Sequence, residues 1–509
     1  MLRSGFVVAF YTFLSRLLGL LRELFIANMF GSSSIADSVN VAFKLPNLFR
    51  RIFAEGALSS VFVPLFNEKL ETSKLVAENF ASKVFWSLLI VLILFVGLMQ
   101  YFMPNLMIIF APGFHLEEDK FELTVALCRI TMPYLVCISI AALLGGMLNS
   151  IRKFAAFAFV PVLLNIVIIT GGLGLQQYTL PSYAIAYSVT LGGIFQVLFM
   201  LCAAKRHHLN IKFVSAGYSD PDIKKLLKLM LPATISSGAM QVNLFISQSI
   251  ASFIPGAVSI LSYADRLYQF PLSIIGIAFA TVLLPELSKL YKSKDVDKIF
   301  TTQNNAIKFA LFLAMPCAIG IILLSHPIIC LIYEHGAFTS EDTTKTASAL
   351  AAFGIGLPAF ILSKIFTPIF YANQDTKTPM KITIYSLTAN TLLNIVLMVP
   401  FGHIGIALGS SIAAWYNLWL LARSAKRNGH FVLIADVWRF IQKLLICSLA
   451  LISSILSMQY VFGHHYYASS MLLQSTSIFA TIIVSAVMYF GAARILGMYH
   501  TKFQIKLDN

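Results

Sequence analysis

Charge is scarce in this 509-residue chain: Asp, Glu, Lys and Arg make up 12% of it, against 58% apolar residues. Soluble domains spend about a quarter of their residues on charge, so an ordinary solvated surface is excluded. A mean hydropathy of +0.80 places the chain in a bilayer. Strands of alternating polarity are absent, which excludes a membrane barrel. There is no phosphate-binding GxxxxGK[ST] loop, dinucleotide glycine pattern, HExxH or nucleophile elbow, so the chain carries no ATPase, metalloprotease or hydrolase motif. The six cysteines, Cys128, Cys137, Cys202, Cys317, Cys330 and Cys447, have no framework or metal-ligand spacing and read as packing residues. Histidines such as His207, His208, His464 and His465 fall in loops and read as solvated.

What is present is apolar sequence in long runs. A spanning helix needs about 20 such residues, and candidates cover 6–30, 38–66, 84–111, 123–148, 154–175, 183–204, 227–253, 257–288, 306–333, 345–371, 379–400, 403–422, 438–461 and 471–496. The expected fold is an all-α polytopic membrane protein of about 14 spans. The first stretch resembles a signal peptide, but Arg16 and Arg22 interrupt it and no small-residue cleavage site follows, so it reads as a retained helix.

Net charge is +15, with 37 Lys and Arg against 22 Asp and Glu. With the N-terminus inside, Lys120 and Lys345 are the basic residues of the external loops, while clusters such as Lys205-Arg206 and Lys224-Lys225 lie on the cytoplasmic side. That is the positive-inside pattern, with both termini cytoplasmic, and it replaces nucleic acid as the reason for the charge.

The sequence repeats at a period of about 225 residues. Ala36-Asp37 with Pro46 and Pro64 matches Ala264-Asp265 with Pro271 and Pro285. Met132-Pro133-Tyr134 matches Leu357-Pro358-Ala359, Leu148-Asn149 matches Ala372-Asn373, and Leu163-Leu164-Asn165-Ile166-Val167 recurs as Leu392-Leu393-Asn394-Ile395-Val396. Each copy holds an even number of spans, so the copies enter the membrane in the same sense. The expected organisation is a lobe at 1–206, a linker at 207–226, a second lobe at 227–427, and two additional helices with a tail at 428–509.

Basic residues within the spans are Arg16, Arg22, Lys44, Arg50, Arg51, Arg129, Arg266 and Lys364; the acids are Glu23, Asp37, Glu55 and Asp265. An ionised side chain at the bilayer centre costs at least about 2.5–3.5 kcal/mol, so such residues mark a cavity or a pathway. Asp37, Lys44, Arg51 and Glu55 fall on one helical face with Asn47 nearby, and either ion pairing or substrate contact accounts for them. Arg129 reads as snorkelling or locally paired. Arg16 and Arg22 stand about 120° apart on a straight helix. Asp265 and Gln269 share a face at i,i+4. An excess of arginine suits an anion with several oxygens, such as a diphosphate, because the guanidinium stays charged and binds bidentately.

The run Ser15-Arg16-Leu17-Leu18-Gly19-Leu20-Leu21-Arg22, then Ala42-Phe43-Lys44-Leu45-Pro46-Asn47-Leu48-Phe49-Arg50-Arg51-Ile52-Phe53-Ala54-Glu55-Gly56-Ala57, resembles the MurJ (MviN) family of lipid II flippases. So do Tyr263-Ala264-Asp265-Arg266-Leu267 and Gln374-Asp375-Thr376-Lys377-Thr378-Pro379. The resemblance implies the multidrug/oligosaccharidyl-lipid/polysaccharide exporter fold and movement of an undecaprenyl-diphosphate-linked disaccharide-pentapeptide to the outer leaflet of the bacterial inner membrane. It places essential arginines at Arg16, Arg22, Arg50 and Arg266, functional acids at Asp37, Glu55 and Asp265, and a lysine at Lys364; beside them, Lys44, Asn47, Arg51 and Gln269 read from their positions as supporting cavity or ion-pair residues. Some relatives carry glutamate where this chain has Gln269. A sodium site known in part of the family maps to Asp375 and Thr391, but span seven offers Gln241 and Asn243 where an acid is expected, leaving that set incomplete.

No cofactor is implied; membrane potential, proton and sodium remain alternatives for driving the cycle. Implied partners are the lipid-linked substrate, membrane lipids and peptidoglycan-synthesis enzymes, without nucleic acid. A cation or drug antiporter of related fold would concentrate acids in its cavity, and a polyprenyl-phosphate enzyme would show a catalytic His or clustered acids at the membrane face.

Overall fold

The computed structural model describes residues 2–52, 58–214, 220–293, 295–467 and 470–498. They are helical throughout, with no strand among the described residues. Nine stretches among them are long and apolar enough to cross a bilayer. The chain divides into two compact units, Met1–Ser259 and Ile260–Asn509.

The first unit contains α1 (Leu2–Phe30), α2 (Ser34–Arg50), α3 (Ser59–Thr72), α4 (Lys74–Tyr101), α5 (Met103–Phe110), α6 (Glu118–Thr131), α7 (Tyr134–Ser150), α8 (Phe154–Leu175), α9 (Pro181–Arg206) and α10 (Pro221–Ala251). The first residues of α11 (Ala257–Pro271) also belong to it. Several runs that read as continuous in the sequence are broken. Pro133 separates α6 from α7 and Pro104 opens α5, because proline lacks the N–H that a continuing helix uses. Ser33 and Ser73 cap α2 and α4 by accepting the Ala36 and Val76 amides. Helix α7 is the hub: it packs against α2, α3, α4, α8 and α9, and is buried along nearly its whole length.

At one end of this unit, ion pairs tie α3 and α4 to the start of α10: Lys69–Asp222 at 2.8 Å, Lys83–Asp220 at 2.5 Å and Lys225–Glu68 at 3.4 Å. Asp220 also caps α10 through the Asp222 amide. The Lys83 ammonium, with that amide, holds the Asp220 carboxyl below the usual carboxylate range.

The second unit contains the rest of α11, then α12 (Ile277–Ser293), α13 (Val296–Leu323), α14 (Ser325–Tyr333), α15 (Ser340–Ala372), α16 (Lys377–Arg427), α17 (Ala435–Phe462) and α18 (Met471–Ile495). The repeat is visible in its packing. Helix α15, which carries the Pro358 counterpart of Pro133, is the hub here, contacting α12, α13, α14 and α16. Pro271 ends α11, and a π-helical turn, Leu272–Gly276, follows. Arg51 and Ile52 are also π-helical beyond α2, after the matching Pro46.

The two apolar runs at 379–400 and 403–422 form α16, which reverses at Gly402 (φ 56°, ψ −132°). The arms close so tightly that a Cβ on Gly405 would lie 2.0 Å from the Leu397 carbonyl oxygen. Helices α17 and α18 dock on α13 and α14 around Phe312, Leu444, Cys447, Leu451 and Tyr489, and the Tyr489 hydroxyl donates to the Phe312 carbonyl at 2.8 Å. The connection into α17 is held by α13: Gln303 donates to the His430 carbonyl, Asn304 to the Val432 carbonyl, and Lys308 pairs with Asp436 at 2.8 Å.

Candidate functional site

The two arginines of α1 have different surroundings. Arg16 is exposed, whereas Arg22 is 6% exposed. The Arg22 guanidinium donates through Nη1 to Asn165 Oδ1 on α8 at 3.1 Å, lies 3.3 Å from Glu23 Oε1, and sits over the Phe43 ring of α2 at 4.3 Å. A polar amide, a carboxylate and an aromatic face thus fix its plane. This makes burial of a permanent charge tolerable.

Helix α2 carries the rest of the first unit's set. Lys44 Nζ donates to Gln248 Oε1 on α10 at 3.0 Å. Arg50 Nε donates to Asn47 Oδ1 at 3.0 Å, and Asn47 Nδ2 donates to the Phe43 carbonyl at 2.7 Å. Arg51 is exposed at the π-helical turn. Glu55 lies outside the described residues. Asp37, the first residue of the expected face, points into a different network. Its side chain is 0% exposed and pairs at 2.9 Å with Lys120 of α6, whose side chain is 3% exposed. The carboxylate also accepts from the Gly256 amide at 2.8 Å, the Ser259 amide at 2.9 Å and the Ser259 hydroxyl at 2.8 Å.

Asp37 is therefore an N-cap supplied from another helix, satisfying the exposed amides of α11 with a negative charge at its positive end. Lys120 is further seated over the Phe114 ring at 4.2 Å. Gly256 enters this turn at φ +75°, with a would-be Cβ only 2.5 Å from the Ser32 carbonyl. The stripe read along α2 is thus resolved into separate tertiary partnerships, because side chains on one helical face are free to pair with whatever packs opposite.

In the second unit, Gln269 donates to Asp265 along one face of α11, and Arg266 beside them is exposed. Lys364 of α15 is exposed, its Cγ at 3.4 Å from where a Cβ on Gly276 would stand. The lysine stem therefore runs beside the π-helical turn at ordinary packing distance. Arg129 has the local partner expected of it, donating to the Gln100 carbonyl at 3.3 Å.

Asp375 and Thr391, two of the residues mapped to a sodium site, lie apart within the second unit. The Asp375 carboxylate accepts from the Thr378 amide at 2.9 Å at the start of α16, and the Thr378 hydroxyl together with that amide holds its carboxyl below the usual range. Thr391 donates to the Leu387 carbonyl at 3.0 Å, roughly 20 Å further along the helix at 1.5 Å per residue.

Sequence reasoning singled out the charged members of these networks and missed their neutral and loop-borne partners. Asn165 carried a signal, since it lies in the repeated Leu-Leu-Asn-Ile-Val run; so did Lys120, one of the two external-loop lysines. Gln248 and Ser259 carried none.

Helical units with proline-matched hub helices and buried, oriented cations within apolar walls define a polytopic membrane transporter. A family profile described as "Lipid II flippase MurJ" matches residues 26–477. The "Probable lipid II flippase MurJ" of Rickettsia prowazekii (strain Madrid E) is 53% identical over 494 residues, covering 97% of each chain. The "Lipid II flippase MurJ" of Burkholderia cenocepacia is 32% identical, covering 99% of this chain and 98% of that one. Among solved structures, "Lipid II flippase MurJ, inward closed conformation" superposes with a TM-score of 0.80 at 28% identity, covering 97% of this chain and 99% of that one. An inward-facing multidrug resistance MATE family transporter of the MOP superfamily shares the fold alone, at TM-score 0.67 and 16% identity over 84% of this chain and 96% of that one. The chain belongs to the MurJ lipid II flippase family.

Proposed function

We propose that this protein carries lipid II, the undecaprenyl-diphosphate-linked disaccharide-pentapeptide, from the cytoplasmic to the periplasmic leaflet by alternating access between two six-helix lobes. The observation that carries the reading is Arg22: a permanent cation, 6% exposed, held in a defined orientation inside an apolar unit of a chain matched to the flippase family over residues 26–477. Arg16, Arg22, Arg50 and Arg266 bind the diphosphate and sugar head; Lys44, Asn47, Arg51, Glu55, Asp265, Gln269 and Lys364 support them, and Asp37 holds the start of α11. The polyprenyl tail stays in lipid along α17 and α18. Both termini are cytoplasmic, in keeping with the distribution of Lys and Arg.

The test is depletion of the protein in cells with no second flippase, followed by addition of an enzyme that cleaves lipid II from outside. Precursor that becomes inaccessible supports the reading; accessibility undiminished on complete depletion overturns it.

A further inference from the structure

The arginine of α1 is aimed by a residue to which the charge pattern gives no role. Asn165 of α8 is 5% exposed, and both ends of its amide are engaged. Its Oδ1 accepts from Arg22 Nη1 at 3.1 Å, while its Nδ2 donates to the Ser15 carbonyl at 3.3 Å and to the Pro161 carbonyl at 3.0 Å. The Pro161 carbonyl is the backbone acceptor one turn back on α8 itself, so this second bond anchors the amide to its own helix. Asn165 thus braces α8 to the backbone of α1 about two turns before Arg22, and holds the guanidinium with the other end of the same planar group.

The internal repeat sharpens this. The matching residue Asn394 is 0% exposed, but its amide lies 3.1 Å from the Asn390 side-chain oxygen, and its Oδ1 would be 2.3 Å from a Cβ on Gly409. In the second unit the asparagine is spent within the α16 hairpin; in the first it is spent on a cation. Asparagine is also the suitable type for that task. An Asp or Glu at this point would set a second carboxylate on the guanidinium beside Glu23, whereas a carboxamide accepts the hydrogen bond and adds no further negative charge against an incoming anion.

We infer that Asn165 is the positioning residue for Arg22: it sets the guanidinium plane for the lipid-linked diphosphate without adding a second carboxylate to the one Glu23 already supplies. This rests on the reading of Arg22 as a diphosphate contact.

The test is a binding titration on purified full-length protein with two probes, lipid II and an uncharged prenyl-linked disaccharide lacking the diphosphate. The proteins are wild type, Asn165→Ala, Asn165→Asp, Arg22→Ala and the Asn165→Ala/Arg22→Ala double variant. Loss of one hydrogen bond to a charged group weakens lipid II binding roughly tenfold in Asn165→Ala. Asn165→Asp, which sets a second carboxylate on Arg22 beside Glu23 and opposes the diphosphate, weakens it at least as much. Binding of the uncharged probe is unchanged, and Asn165→Ala adds nothing once Arg22 is gone. A purely structural role predicts the opposite: equal losses for both probes and additive losses in the double variant, and either result overturns the inference. Wild-type lipid II binding by Asn165→Ala beside a large loss in Arg22→Ala also overturns it. Wild-type binding by Arg22→Ala itself overturns the underlying reading of the site instead.

Discussion

Breaking the Asp37–Lys120 pair has a calculable consequence that separates charge pairing from mere packing. The side chains are 0% and 3% exposed, so neither charge can turn to water when its partner is removed. Lys120→Met leaves the carboxylate with the Gly256 amide, the Ser259 amide and the Ser259 hydroxyl. Asp37→Asn leaves the ammonium with the face of Phe114 and one neutral oxygen. Removing one member of a buried pair costs about 3–5 kcal/mol, because the other charge stays desolvated. At roughly 2–4 °C per kcal/mol for a unit of this size, each single change lowers the melting midpoint by about 6–20 °C. The Asp37→Asn/Lys120→Met double variant buries no net charge, so its loss falls short of the sum of the singles by at least about 2 kcal/mol. The assay is a double-mutant cycle on purified protein, read by fluorescence-monitored melting. Additivity within about 0.5 kcal/mol, the range expected of independent sites, would falsify the reasoning.

Other outcomes follow from geometry at single residues. Gly405→Ala drives a Cβ to 2.0 Å from the Leu397 carbonyl oxygen in the α16 hairpin, so folded protein is lost; Gly402→Ala, with no atom within 4 Å, costs only about 1–3 kcal/mol of backbone strain, and comparing membrane yields distinguishes the two. Gln374→Gly relieves a left-handed backbone at φ 59° and raises the melting midpoint, by up to about 1 kcal/mol of stability. Asp220 and Asp375 are both held below their ordinary range, so the stability they contribute is present above the unfolded carboxylate pKa of about 3.9 and is lost as pH falls through their folded values. The melting midpoint therefore drops on acidification below that point, and less steeply in Asp220→Asn/Asp375→Asn. Arg22→Lys, which keeps the charge but not the planar fork, fails to complement depletion at normal membrane levels.

Apolar run length and proline placement located the helical stretches, since both act through local hydrogen bonding and solvent transfer, but not their number: about 14 spans were expected and nine stretches among the described residues are long and apolar enough to cross a bilayer. The run at 38–66 was less legible: as one long apolar stretch it concealed the end of α2 at Arg50 and the π-helical turn, because the same composition serves either backbone path.

By itself the sequence determined that this chain lives in a bilayer, is helical and carries costly cations there, because transfer free energy depends on composition and the cost of a buried charge on the residue type alone. The tertiary structure decided the partners: Asp37 meets Lys120 across 83 positions and Ser259 across 222, and Arg22 meets Asn165 across 143. Helical periodicity fixes only which way a side chain faces. What stands opposite is set by the packing of whole helices, and it is there that Asp37 acquires a buried lysine and two backbone amides, and Arg22 the neutral amide that fixes its plane.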